Sequence, residues 1–145
     1  MTTTGTDRAS ALALAPYIFF YGRCEEALAF YKDAFGGTYE LQRNADGPMA
    51  GEVAPDFRNK VMHAHFTAPG VTLMCSDGRE SKTIDPEEGN VSLSLTATDA
   101  AEGQRVFDAL SAGGTVVAPY EDAFWGGKFG CVNDRFGIQW LVTGP

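Results

Sequence analysis

The most regular feature of the chain is a pair of amphipathic segments built on one frame. "EEALAFYKDAFGGT" carries Glu25, Phe30, Gly36, Gly37 and Thr38, and "EGQRVFDALSAGGT" carries Glu102, Phe107, Gly113, Gly114 and Thr115, so that both read E-x4-F-x5-G-G-T. Apolar side chains recur at helical intervals in each: Ala27, Leu28, Tyr31, Ala34 and Phe35 in the first, Val106, Phe107 and Leu110 in the second. Each run ends on glycine, the residue that accepts a left-handed helix cap. The spacing predicts two helices, and Asp99 followed by Glu102 gives the second a D-x-x-E start.

Strand-like runs surround both helices. "PYIFFY" precedes the first, while "TYELQR", "KVMHAHFTA" and "VTLMCS" follow it; "NVSLSLTAT" precedes the second, while "TVVAPY", "GKFGCVN" and "IQWLVT" follow it. The chain therefore reads βαβββ twice, as module 1 over about 16–77 and module 2 over about 90–143. The polar stretch at about 78–89 is a linker within a single domain spanning 15–145, and residues 1–14 are expected to be a flexible N-terminus. "NADGPMAGEVAPDFRN" is expected to be a mobile or partner-contacting loop. The fold class is α+β: eight strands in a curved mixed sheet around a cavity, with the helices behind.

Strand parity then sorts side chains between helix and cavity. Val91, Leu93 and Leu95 should pack under a helix, leaving Ser92, Ser94 and Thr96 toward the cavity. Ile138, Trp140 and Val142 should be core, with Gln139 and Leu141 on the cavity side. The histidines, His63 and His65, share one face, opposite Met62, Ala64 and Phe66. Trp125 is expected at a strand end by the cavity mouth, stacking on a flat ligand, on the hairpin or on a dimer partner. Glu121 is either a general base or an ion-pair partner for Lys128 or Arg135.

Composition narrows the partners. A length of 145 residues with 44% hydrophobic content supports one real core. A net charge of -8, with no Lys or Arg run, sets the average field against nucleic acid and anionic membranes, which leaves a small molecule or another protein. No apolar run approaches the length that crosses a bilayer. Cys24, Cys75 and Cys131 form neither a CxxC nor a paired framework, which suits a reducing compartment and a cytoplasmic protein. There is no G-x-S-x-G for a serine nucleophile and no G-x-G for a nucleotide-cradling turn.

The paired βαβββ pattern, "AFY" at Ala29 to Tyr31 and "NDRFGIQWL" with its D-x-x-G turn resemble the vicinal oxygen chelate superfamily of glyoxalases, bleomycin resistance proteins and dioxygenases. "PYIFFYGRCEEALAFY", "HAHFTAPGVTLMCSD" and "FWGGKFGCVNDRFGIQWL" resemble its PhnB-like branch, which carries a 3-demethylubiquinone 3-methyltransferase-like label. The resemblance covers about Pro16 to Thr143. It implies a homodimer and, in metal-dependent members, His or Glu ligands at four positions that fall here at or beside Pro16, Met74, Ser92 and Leu141. None of these is a strong ligand, and the neighbouring Tyr17, Leu73 and Leu93 are no better. The expected function is small-molecule binding without metal or other cofactor. His63, His65, Ser92, Ser94, Trp125 and Gln139 are the candidate ligand contacts, and His63 and Glu121 the candidate catalytic groups. The alternative is a lyase, isomerase or oxygenase-type enzyme. It would use His63 as acid or base, or a divalent Zn, Ni, Mn or Fe ion on His63, His65 and Glu121.

Overall fold

The computed structural model describes residues 11–48 and 50–145. Their elements run β1 Tyr17–Phe19, α1 Cys24–Phe35, β2 Thr38–Arg43, β3 Val61–Ala68, β4 Val71–Ser76, β5 Leu93–Thr96, α2 Ala100–Ser111, β6 Thr115–Asp122, β7 Lys128–Asn133 and β8 Gln139–Gly144. Residues 1–10, most of the segment expected to be flexible, lie outside the described residues. The fold is α+β, as expected. Its eight strands lie in two four-stranded sheets, ordered β1-β4-β3-β2 and β5-β8-β7-β6, without closing into a barrel. Each sheet has one parallel pair, β1 with β4 and β5 with β8, and is otherwise antiparallel.

The helices begin by different means. In α2, Asp99 caps the first turn, accepting from the Glu102 backbone N–H at 2.9 Å. Glu102 turns its own carboxylate to Arg105, leaving the capping box half made. In α1, Arg23 at the cap position supplies no side-chain capping bond. Asp77, just past β4, does the work from a distance: its Oδ1 accepts from the Gly22 and Cys24 N–H groups at 2.7 and 2.8 Å. Its Oδ2 takes the Val61 N–H at 2.8 Å, so this buried carboxylate joins a helix start to two strands.

The second glycine of each repeat is a packing requirement. A Cβ on Gly37 would run into the Thr67 carbonyl oxygen, and one on Gly114 into that of Asn133. In both modules the strand after the helix therefore starts against the end of its neighbour.

Both modules share one core on the helix side of the sheets. The Trp140 ring of β8 packs on Tyr31 and Phe35 of α1, with centroids 5.6 and 5.4 Å apart, while Phe136 meets Phe20 at 5.9 Å. Burial of each such side chain is worth roughly 1.5–3 kcal/mol. The two helices touch each other, so this core is continuous across the modules.

Two local expectations are corrected. Val91 lies outside β5 and is 79% exposed, because the strand pairs with β8 only from Leu93 onward. In β3 the register slips so that Gln42 faces His63 and Arg43 faces Val61, which leaves Met62 as the extra residue of a bulge and sends Val61 into the core. The described part of the segment after β2, expected to be mobile or partner-contacting, carries local structure. It makes three short 3-10 turns, buries Phe57, and ties Asn44 Nδ2 to the Phe57 carbonyl at 2.9 Å. Among the described residues no helix is long and apolar enough to cross a membrane.

Candidate ligand-binding faces

Each sheet packs one face on the core and leaves the other open. On the first sheet the open face carries Tyr17 beside Met74, Met74 beside His65, and His65 beside Glu40, while His63 lies beside Gln42. Tyr17 and Phe19 are 44% and 45% exposed. Their rings, with Tyr21, form a row spaced 5.2 and 6.1 Å, and the His63 ring joins it 5.7 Å from Tyr17. Tyr17 Oη is hydrogen-bonded to His63 Nδ1 at 3.1 Å. Partial burial pushes the Tyr17 phenol above its ordinary value, so it keeps its proton at neutral pH. The Lys82 ammonium sits 4.4 Å above the Tyr21 ring at the far end of the row.

The second sheet's open face pairs Ser94 with Leu141 and Leu141 with Cys131, then Thr143 with Phe129 and Phe129 with Glu121. At its corner Glu121, Phe124, Trp125 and Phe129 line a cleft of about 210 Å³. The Trp125 ring is edge-on to Phe124 and Phe129, at 4.8 and 5.8 Å, and is 60% exposed. Burial raises the Cys131 thiol above its usual range, consistent with an inert side chain.

The predicted residues thus fall into two groups. His63 and His65 share the first sheet, whereas Ser94, Glu121 and Gln139 belong to the second and Trp125 to its β6–β7 turn. His63 and Glu121 are not brought together within one chain, and no described cleft is lined by both. Ser92 lies just outside β5, and its Oγ bonds Gln139 Oε1 at 2.6 Å, while Gln139 Nε2 donates to Asn133 Oδ1 at 3.0 Å. These two expected ligand contacts satisfy each other. Glu121 does not pair as expected: Lys128 reaches Asp122 at 3.6 Å, and Arg135 donates to the Ala112 carbonyl and covers the Phe30 ring. Ser94 lines two clefts of about 200 and 320 Å³ where β5 approaches the β3–β4 turn. A further cleft of about 400 Å³, under the linker, holds none of the predicted residues.

Sequence reasoning missed Tyr17, Phe19 and Tyr21. The signal was present: in "YIFFY" every second residue is a ring and shares one face, while Ile18 and Phe20 take the core.

The metal-ligand positions implied by the resemblance do not fit a divalent ion. Met74 and Leu141 do lie on open faces, but they offer a thioether and a hydrocarbon, and Ser92 is engaged with Gln139. Among the described residues no three His, Cys, Asp or Glu side chains converge.

A family profile described as 3-demethylubiquinone-9 3-methyltransferase matches residues 13–143. The chain belongs to this family. Protein YjdN of Escherichia coli is 30% identical to it over 143 residues, covering 91% of this chain and 95% of YjdN. The crystal structure of PA1353 from Pseudomonas aeruginosa superposes with a TM-score of 0.78 at 35% identity, over 92% of this chain and 97% of that one. A putative 3-demethylubiquinone-9 3-methyltransferase, PhnB protein, from Bacillus cereus gives 0.73 at 27%, over 92% and 100%. More distant glyoxalase-related structures, at 11–19% identity and TM-scores of 0.56 to 0.62, share the fold alone with this PhnB-like chain.

Proposed function

We propose that this PhnB-like protein binds a small, flat organic molecule against its open sheet faces, as a homodimer, and without a divalent metal. The observation that carries the reading is the ring row of Tyr17, Phe19 and Tyr21 beside His63. A sheet whose other face packs on the core still holds the Tyr17 and Phe19 rings nearly half in water, with Tyr21 partly covered beside them. Such a surface gains from being covered, at about 25 cal/mol per Å² of apolar area. The corner of Phe124, Trp125 and Phe129 is a second patch of the same kind.

In the proposed dimer, the first sheet of one copy covers the second sheet of the other. That arrangement puts His63 and His65 opposite Ser94, Trp125 and Glu121, with the Ser92–Gln139 pair as a wall. The three cysteines, none in a disulfide, and the net charge of -8 favour a cytoplasmic setting and a small-molecule partner over nucleic acid or membrane.

The test is sedimentation velocity with acrylamide quenching of Trp125, over protein concentrations from about 1 to 100 μM. Association that protects Trp125 is expected, together with a thermal shift on adding aromatic ligands. A chain that stays monomeric and whose melting no aromatic compound moves would refute the reading.

The Tyr17–His63 hydrogen bond also favours a second reading, in which His63 is an acid or base of an enzyme. Metal analysis of untagged protein, with thermal shifts in Zn, Ni, Mn and Fe, separates the two. Stoichiometric metal that is lost in His63→Ala would overturn metal-free binding.

A further inference from the structure

The cleft of about 400 Å³ under the linker has an apolar floor of Phe20, Phe136 and Ile84 and charged groups of both signs around it. Neither His63 nor any ring of the Tyr17–Phe19–Tyr21 row lines it. Of its cations, Arg23 is already engaged: Nη2 meets Glu26 Oε2 at 3.0 Å, and Nη1 donates to the Arg135 carbonyl at 3.1 Å. Arg135 is held but not paired. Its Nε donates to the Ala112 carbonyl at 3.1 Å, its guanidinium covers the Phe30 ring at 4.5 Å, and a Cβ on Gly113 would come within 3.0 Å of Nε. Among the described residues no acceptor takes Nη1 or Nη2, so a fixed fork of donors remains.

The linker holds the opposite sign in place. Asp85 Oδ1 accepts from the Glu87 N–H at 2.9 Å, and the Asp85 carbonyl from the Glu88 N–H at 3.2 Å. The Ile84 carbonyl lies against Gly137, where a Cβ would come within 2.6 Å of it. Asp85 and Glu87 both line the cleft, and among the described residues neither carboxylate forms an ion pair. With Arg23 matched by Glu26, Arg135 and Lys82 balance Asp85 and Glu87. The cleft thus has little net charge and four unmatched charged groups. A dianion meets no net attraction there, and an apolar molecule answers none of the four.

We propose that this cleft binds a small zwitterion of the apolar α-amino acid class, with the Arg135 fork taking its carboxylate and Asp85 and Glu87 its ammonium group. The apolar side chain lies on Phe136 and Ile84. A guanidinium fork matches a carboxylate edge with two parallel hydrogen bonds, and the cleft volume is that of a small-ligand site. The site is separate from the open sheet faces, and the proposal does not rest on the function proposed for them.

The test is ¹H–¹⁵N NMR of the full chain with L-leucine, isocaproate, which lacks the ammonium, and isopentylamine, which lacks the carboxylate, each titrated to about 10 mM. L-Leucine is expected to shift the Gly113, Ile84 and Gly137 amides and to leave His63 unmoved. It should bind about five- to tenfold more tightly than either truncated compound, and to lose the same factor in Arg135→Gln and in the double variant Asp85→Asn, Glu87→Gln. The double variant changes only exposed linker side chains, so it reads the ammonium end even if Arg135→Gln perturbs the fold. Isocaproate binding as tightly as L-leucine, or indifference to the double variant, overturns the ammonium assignment. Unchanged binding to a folded Arg135→Gln overturns the carboxylate assignment. No shift at the cleft with any of the three, or shifts confined to the open sheet faces, overturns the site.

Discussion

Tyr31 Oη, on α1 of the first module, donates to Asp134 Oδ2 in the β7–β8 turn of the second at 2.5 Å, across 103 positions of sequence. The same oxygen accepts from Trp140 Nε1 at 2.9 Å, and Oδ1 takes the Phe136 and Ile138 N–H groups at 2.9 and 3.0 Å. A buried carboxylate with four donors is stable in the core, and one of the four comes from the other module. Tyr31→Phe is therefore expected to lower unfolding free energy by about 1.5–3 kcal/mol, measured by urea denaturation.

The same contact predicts a pH dependence. Burial, and then the Asp134 charge, push the Tyr31 phenol well above its ordinary value, so the folded state keeps this proton after the unfolded chain would release it. The resulting stabilisation is complete below about pH 10 and is lost as pH rises from there toward the folded value. Urea midpoints should fall with pH above about 10 in the wild type, and less steeply in Tyr31→Phe. Equal slopes would show that Tyr31 does not carry the effect.

The repeat's two glycines should separate in a substitution experiment. Gly36 has φ 76° and ψ -158° with open space around a would-be Cβ, so Gly36→Ala costs only backbone strain, about 1–3 kcal/mol. Gly37 has φ 84° and the Thr67 carbonyl in the way, so Gly37→Ala should cost about 3 kcal/mol or more. Equal losses in thermal or urea melts would contradict the steric account.

Thiol chemistry provides an independent check. Cys24, Cys75 and Cys131 are all buried; a contact with Cys75 and burial raise the Cys24 thiol far above its usual range, and burial raises Cys131. A thiol-reactive dye at about pH 8 should label almost none of the native protein within minutes, and all three thiols in denaturant. Rapid native labelling of any one would show that its site opens.

Periodicity carried most of the fold. The E-x4-F-x5-G-G-T frame located both helices, the runs "TYELQR" and "VTLMCS" matched β2 and β4, and alternation placed β8 to within a residue and turned Trp140 and Val142 inward, because local backbone preference and core burial agree there. It failed where partners decide. Val91 alternates like its neighbours but has no strand beside it, and the Met62 bulge depends on how β2 and β3 meet. The open faces were legible as parity, which placed His63 and His65 correctly on one side. That His63 is bonded to Tyr17, and Ser92 to Gln139, is set by strand order, and order is invisible in a linear pattern. Asp77 was unreadable as a core group for the same reason, since its donors come from distant segments, and so was the Tyr31 bond that ties Asp134 to the other module.

The continuous core between the modules has a consequence for the covalent chain. A single cut in the exposed linker near Glu88 would separate two fragments, each holding half of one apolar interior. Neither half should persist alone, since the first would bare Tyr31 and Phe35 and the second Trp140 and Phe136. Mixed together, the fragments should reassemble, using the interior as an adhesive in place of the peptide bond. The protein would then be two complementary pieces that happen to be translated as one.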